Sequence, residues 1–163
     1  MSVLITAASH SAAYKLERLV RAPNVVFADF IELPHLTRSG RNFVKIPKGS
    51  SASFAHQILD LALNEGIIKI LPLYADEIFP LAESRQLFSE YGISVIVPNI
   101  NWLEGQSPVQ NASDTPLIVM ESGKILAGEL PPGVFLADEE LSGIFNVGIK
   151  EGRPLLTLFT VQP

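Results

Sequence analysis

The sequence predicts an α/β fold: an open, doubly wound parallel sheet followed by a small antiparallel β appendage. Three observations carry this. Up to residue 99, short apolar runs rich in β-branched residues alternate with stretches whose apolar residues recur at helical spacing. Beyond residue 115 the helical spacing stops, and short apolar runs separated by Gly- and Pro-containing turns replace it. Of the 163 residues 47% are hydrophobic and only 18% charged, enough apolar material for a full core and too little charge for a disordered chain.

The elements follow in order. "SVLITAA" (2–8) reads as a buried strand, and Ala12, Ala13, Leu16, Leu19 and Val20 then mark a helix with Ser9 or Ser11 as its cap and Pro23 past its end. "NVVFADF" (24–30) is a second strand closed by Asp29. "IELPHLTRSGRN" is broken by Pro34 and Gly40 and reads as a loop, and "FVKIP" (43–47) is a third strand. In "SSASFAHQILDLALNEG", Phe54, Ala55, Ile58, Leu59, Ala62 and Leu63 form one apolar face between a serine cap and a C-terminal Gly66. "IIKILPLY" (67–74) suits a strand covered on both faces. A single helix through Ile78, Leu81, Ala82, Arg85 and Phe88 ends at Gly92, and Pro80 places its start close to Asp76–Phe79. "ISVIVP" (93–98) is the fifth strand.

Strands alternating with helices imply parallel pairing through right-handed crossovers. The expected product is a Rossmann-like sheet in the order 3-2-1-4-5 over residues 1–99. Residues 100–115, with Pro108, one Gly and many polar side chains, read as a connector that runs into Pro116. Residues 116–163 read as the appendage, with strands at "LIVM", "KILAGEL", "GVFLA", "SGIFNVGI" and "PLLTLFTV", and with Gly123 and Gly152 in hairpin turns that need positive φ. So small a sheet is rarely stable alone and is expected to pack on the first unit or on another subunit.

Composition excludes several classes. A net charge of −5, with Arg18/Arg21 and Arg38/Arg41 only as isolated pairs, argues against nucleic acid. Without Cys there is neither a disulfide nor a thiolate metal site. His35 and His56 have no second ligand at metal spacing, so no zinc site is expected. The N-terminus lacks a basic start before its short apolar run, and no run approaches a membrane span, so no membrane partner and a cytoplasmic location are the expectations. "NAS" at Asn111 fits a glycosylation triplet with nothing else to suggest secretion.

Ligands of doubly wound sheets bind outside the carboxyl ends of the strands, where the strand order reverses. This fold places Thr6, Ala8, Ser9 and His10 there after the first strand and Asp29 after the second. Asp76 and Glu77 follow the fourth, and Asn99 and Asn101 the fifth. These are the candidate ligand-binding residues. Asp76 also fits a helix cap, Asp29 a solvated turn residue and His10 a surface or capping residue. The turn "TAASHSAAY" contains no Gly, which disfavours a pyrophosphate cradle, and neither a G-x-S-x-G elbow nor a P-loop is present.

The span Ser2–Asn99 resembles the domain that precedes the ATP-grasp module in carbamoyl-phosphate-synthase-like and biotin-carboxylase-like enzymes. The carrying residues are "VLITAA", "VVFADF" with Asp29, and "ILPLYADEIFPLAESRQLFSEYGISVIVP". Within the last, Glu77, Leu81, Ala82, Glu83, Arg85, Phe88, Gly92, Ile93 and Val95 form the most specific pattern. The resemblance implies a domain that lines one side of an active-site cleft while a following module holds ATP and magnesium. Three departures stand out. Ala8, Ser9 and His10 replace the Gly and Arg common after the first strand, Ala75 stands where an acid is usual with Asp76 displaced by one, and "NINWLEG" lacks the Asp-Lys step.

The residues after Asn99 are far too few for an ATP-grasp module. The ending "FNVGIKEGRPLLTLFTVQP" resembles the strand-turn-strand that closes such modules with a Glu-x-Asn-Pro metal site; on that resemblance Thr160 and Gln162 would replace both metal ligands, and neutral side chains hold Mg²⁺ poorly. No bound metal is expected, and the sequence names no cofactor. The resemblance implies a stand-alone, non-catalytic domain that serves a separate ATP-grasp ligase or self-associates through the C-terminal β segment. The alternative is a nucleotide- or amino-acid-binding protein, or a minor enzyme, that uses the strand-end crevice.

Overall fold

The structure, a computed structural model, describes residues 2–33, 41–106 and 115–163. Its first half is a five-stranded parallel sheet in the order β3-β2-β1-β4-β5, as the alternation predicts. The strands are β1 (Ser2–Ile5), β2 (Val25–Asp29), β3 (Asn42–Lys45), β4 (Ile67–Leu71) and β5 (Ser94–Val95). The helices are α1 (Ser11–Val20), α2 (Phe54–Glu65), α3 (Ala75–Glu83), α4 (Arg85–Glu90) and α5 (Ile100–Glu104).

Strand alternation sorts side chains between two cores. Leu4, Val26, Ala28 and Ile70 face one side and pack against Phe54, Ile58 and Ala62 of α2, Ile78 and Leu81 of α3, and Phe88 of α4. Val3, Ile5, Phe27 and Leu71 face the other, against Ala13 and Leu16 of α1. That second core also takes in Leu117, Val119, Ala127 and Ile144, which belong to a separate antiparallel sheet. Its order is β7-β6-β8-β9, built from β6 (Leu117–Glu121), β7 (Lys124–Ala127), β8 (Gly143–Lys150) and β9 (Arg153–Leu158). The appendage thus packs on the first unit of its own chain, and Lys69 of β4 pairs with Glu121 of β6 at 2.7 Å across the join.

Both expected hairpin glycines adopt positive φ. Ser122–Gly123 (φ 47 and 75) and Glu151–Gly152 (φ 51 and 76) are two-residue turns whose two positive φ values match the twist of the flanking strands.

Several expectations need correction. The α1 N-cap is His10, with no side-chain cap from Ser9 or Ser11, and Ser53 of α2 likewise makes no cap bond. Strand β1 ends at Ile5 because Ala7 takes a left-handed φ of 56. Strand β5 is two residues long, since the chain turns where Val97 N–H donates to Val95 C=O. The single helix expected up to Gly92 is two. Pro80 lies in the interior of α3, not its first turn, where it withholds the N–H that Asp76 C=O would accept, and the helix breaks at Ser84.

The connector contains α5, and Asn99 caps it by accepting from Trp102 N–H at 2.8 Å. "GVFLA" is no strand. Pro131 and Pro132 supply no ladder N–H, and the chain turns where Val134 N–H donates to Pro131 C=O. His35, Arg38 and Asn111 lie outside the described residues.

Candidate functional site

The carboxyl ends of β1, β2 and β4 meet in one polar cluster. Thr6 follows β1 and is 1% exposed. Its hydroxyl accepts from Leu73 N–H at 2.8 Å and donates to Glu77 Oε2 at 2.6 Å. Glu77, also 1% exposed, is the third residue of α3 and hydrogen-bonds the backbone of Tyr74, the helix N-cap. That is the acidic half of a capping box. Burial pushes its carboxyl up to about 8, against the pull of the Thr6 hydroxyl and the Tyr74 backbone, and Asp76 and Asp29 add to the rise. Glu77 therefore keeps its proton at neutral pH.

Asp29, at the end of β2, is fully buried. Its Oδ2 accepts from Ser9 N–H and Ser9 Oγ, each at 2.8 Å, and from the Tyr74 phenol at 3.1 Å. Its Oδ1 accepts from the same phenol at 3.0 Å and from Ile31 N–H at 3.3 Å. Burial pushes the Tyr74 phenol up to about 12; the Ser9 hydrogen bond opposes the rise and Asp29 adds to it. The phenol therefore acts as a donor. Ala8 contributes backbone only, donating to Ala28 C=O and accepting from the Tyr14 phenol.

Above this layer lie the partly exposed aromatics. The His10 ring stands edge-on to Tyr74 at 5.5 Å, Phe30 lies 5.2 Å from the Tyr74 ring, and Lys48 Nζ sits 4.9 Å over Phe30. The C-terminal segment closes another side. Val161 pairs with Tyr74, donating to Leu73 C=O at 2.7 Å and accepting from Ala75 N–H at 3.0 Å.

Of the predicted residues, Thr6, Ser9, His10, Asp29 and Glu77 converge around Tyr74. Asp76 is half-buried, and its Oδ1 is buried without a hydrogen-bond partner among the described residues. Asn99 is not in the cluster. It lines a separate groove of about 650 Å³ with Glu83, Arg85, Gln86 and Glu139. Tyr74, Phe30 and Lys48 are absent from the prediction. The available signal was the phenol of Tyr74 at the end of an apolar strand, because a buried Tyr hydroxyl needs a polar partner.

Chemically the cluster is a joint. Its hydroxyls and carboxyl groups bond one another and tie three strand ends to α3. Among the described residues no group of three or more His, Asp and Glu side chains is placed to hold a metal ion, and no helix is long and apolar enough to cross a membrane. The chain matches no family model and no curated protein.

Proposed function

We propose that this chain is a non-catalytic interaction domain of the pre-ATP-grasp type, serving a separate ATP-grasp-type ligase or a further copy of itself. The observation that carries this reading is the set of exposed apolar side chains in the antiparallel unit. Ile149, Leu155 and Leu126, on β8, β9 and β7, are 59, 46 and 43% exposed, and Phe135, in the segment between β7 and β8, is 86% exposed. Large exposed apolar side chains on the sheet and on the segment that joins its strands favour contact with a partner. The outer strand β9 also offers an edge that no strand among the described residues pairs with. The self-bonded state of Thr6, Ser9, Asp29, Tyr74 and Glu77 supports a structural role for the strand ends.

The test is affinity capture of the tagged chain from its host with identification of what is held. The expected result is an ATP-grasp-type ligase, lost on Ile149→Ser with Leu155→Ser, or the chain itself, lost on Phe135→Ser. A strictly monomeric chain that captures no ligase overturns the reading.

One observation favours the small-ligand alternative: His10, Phe30 and Tyr74 form a partly exposed aromatic group with Lys48 at its rim. A nucleotide or amino acid bound there at a hundred times its Kd adds about 2.7 kcal/mol of stability, readable as a thermal shift that Phe30→Ala abolishes. A flat screen removes this reading.

A further inference from the structure

A cleft of about 930 Å³ separates the C-terminal turn of α1 from the edge strand β7. Leu19, Val20, Leu126 and Leu130 line it, and Arg18 and Arg21 stand at its rim. Both arginines are exposed, and among the described residues neither makes an ion pair. Glu129 on the same rim offsets one of the two charges. In a chain of net charge −5, this apolar cleft with a cationic rim selects a segment that is apolar at one end and acidic at the other.

The chain itself presents such a segment. Phe135 is 86% exposed, the most exposed large hydrophobic side chain among the described residues. Asp138, Glu139 and Glu140 follow it, all exposed. The turn before Phe135 has Pro132 and Gly133 (φ 78) at its centre, closed by Val134 N–H donating to Pro131 C=O at 3.1 Å. Pro at the second and Gly at the third position is the pattern of a type II turn. Phe135 is thus held outward before any partner arrives, which lowers the ordering cost of docking.

Phe135 does not fill the cleft of its own chain, yet Pro131, four positions earlier, lines that cleft. Four extended residues span at most about 14 Å, so plug and socket are neighbours on one surface. Neighbouring complementary patches can be satisfied reciprocally about a two-fold axis, which closes a dimer rather than growing a filament.

We infer that two copies of this chain form a two-fold dimer. The Phe135–Glu140 segment of each docks in the α1–β7 cleft of the other, with Phe135 in the apolar lining and the acids against Arg18 and Arg21. This rests on the interaction-domain reading and names its partner as a second copy. Two short segments make an interface at or below about 1,200 Å², so association is weak and concentration-dependent.

The experiment is analytical ultracentrifugation of the full chain from low micromolar to millimolar concentration, at two ionic strengths. The expected result is a monomer–dimer equilibrium that weakens with salt. Phe135→Asp, and separately Arg18→Glu with Arg21→Glu, weaken it by about tenfold or more, which is about 1.4 kcal/mol. Combining the arginine swap with Asp138→Lys, Glu139→Lys and Glu140→Lys restores it. Phe135→Ser is the milder second variant, and unchanged thermal unfolding of each exposed-site variant shows that folding is intact. A monomer at every concentration, or a dimer indifferent to Phe135→Asp and Phe135→Ser, overturns the inference. A monomer that still captures a ligase overturns it while leaving the interaction-domain reading in place.

Discussion

The Thr6 hydroxyl donates a 2.6 Å hydrogen bond to the Glu77 carboxyl across 71 positions of sequence, with both residues buried at the end of the parallel sheet. Burial raises Glu77 from its ordinary value of 4.5 to about 8. A folded-state value above the unfolded one means that stability is full below pH 4.5, falls as pH rises, and levels off above about 8. The span amounts to a loss on the order of 3–5 kcal/mol. Glu77→Gln removes the titration while keeping an acceptor for Thr6. Denaturant unfolding at pH 5, 7 and 9 is expected to show the variant gaining on the native chain at each step. Parallel pH profiles would refute the assignment.

Asp29 and Tyr74 form the second joint. Asp29→Ala strands the buried Tyr74 donor, leaves the exposed Ser9 to water, and costs about 2–3 kcal/mol. Tyr74→Phe leaves Asp29 its Ser9 contacts and costs less, about 1–2 kcal/mol. The double variant is expected to fall short of the sum by about 0.5–3 kcal/mol. Additive losses in equilibrium unfolding would show that the two side chains do not share one network.

The sheet order and its inward faces were legible because Val3 and Ile5 alternate with Leu4, and Phe27 with Val26 and Ala28, at the period of a strand. The polar partnerships were not. Nothing near Thr6 in sequence points to Glu77, and only the folded sheet brings their strand ends together. In sequence Tyr74 is only the end of an apolar run, although its phenol organises Asp29 and Ser9. Helix α5 is too short to show a period, and Pro98 and Gly105 around it resemble loop chemistry. The "GVFLA" run looked like a strand because apolarity alone cannot distinguish a buried strand from an exposed turn.

Gly49 packs against the peptide between Asp76 and Glu77, beside the carbonyl that Pro80 leaves without its helical donor. A Cβ there would lie 2.6 Å from Glu77 N and closer still to the Asp76 carbonyl. Backbone cannot yield as a flexible side chain does, so Gly49→Ala is expected to cost about 1–3 kcal/mol. Gly66→Ala is the control. Its φ of 63 brings about 1 kcal/mol of strain, with nothing within 4 Å to obstruct the methyl. A Gly49→Ala melting curve matching the native one would contradict the close approach.

Lys69 and Glu121 join the two sheets, with side chains 20 and 26% exposed. Burial alone would raise Glu121, but the hydrogen bonds from Lys69 and Ser94 and the charge of Lys69 together hold it below 4.5. Its contribution is therefore present above pH 4.5 and lost as pH falls through the lower folded value. Lys69→Met is expected to cost about 1 kcal/mol at pH 7, and less as pH falls through the folded value of Glu121 and its carboxylate is lost. A deficit that grows on acidification in paired unfolding curves would reverse the assignment.

Val161 supplies the last tie at the site, accepting from Ala75 N–H and donating to Leu73 C=O. Ala75 is the first residue of α3, and its N–H has no partner within the helix. Removing residues 161–163 exposes that amide and frees the turn that carries Tyr74. Native-state hydrogen exchange is expected to show Ala75 losing protection by about tenfold, the equivalent of one hydrogen bond of about 1.4 kcal/mol, while Leu4 and Ile70 in the sheet centre keep theirs. The Glu77 amide, which donates to Tyr74 C=O, should follow Ala75 if the turn loosens as a unit. Loss at Ala75 alone would confine the effect to one bond, and unchanged exchange at Ala75 would show that the C-terminal segment does not hold the α3 N-terminus.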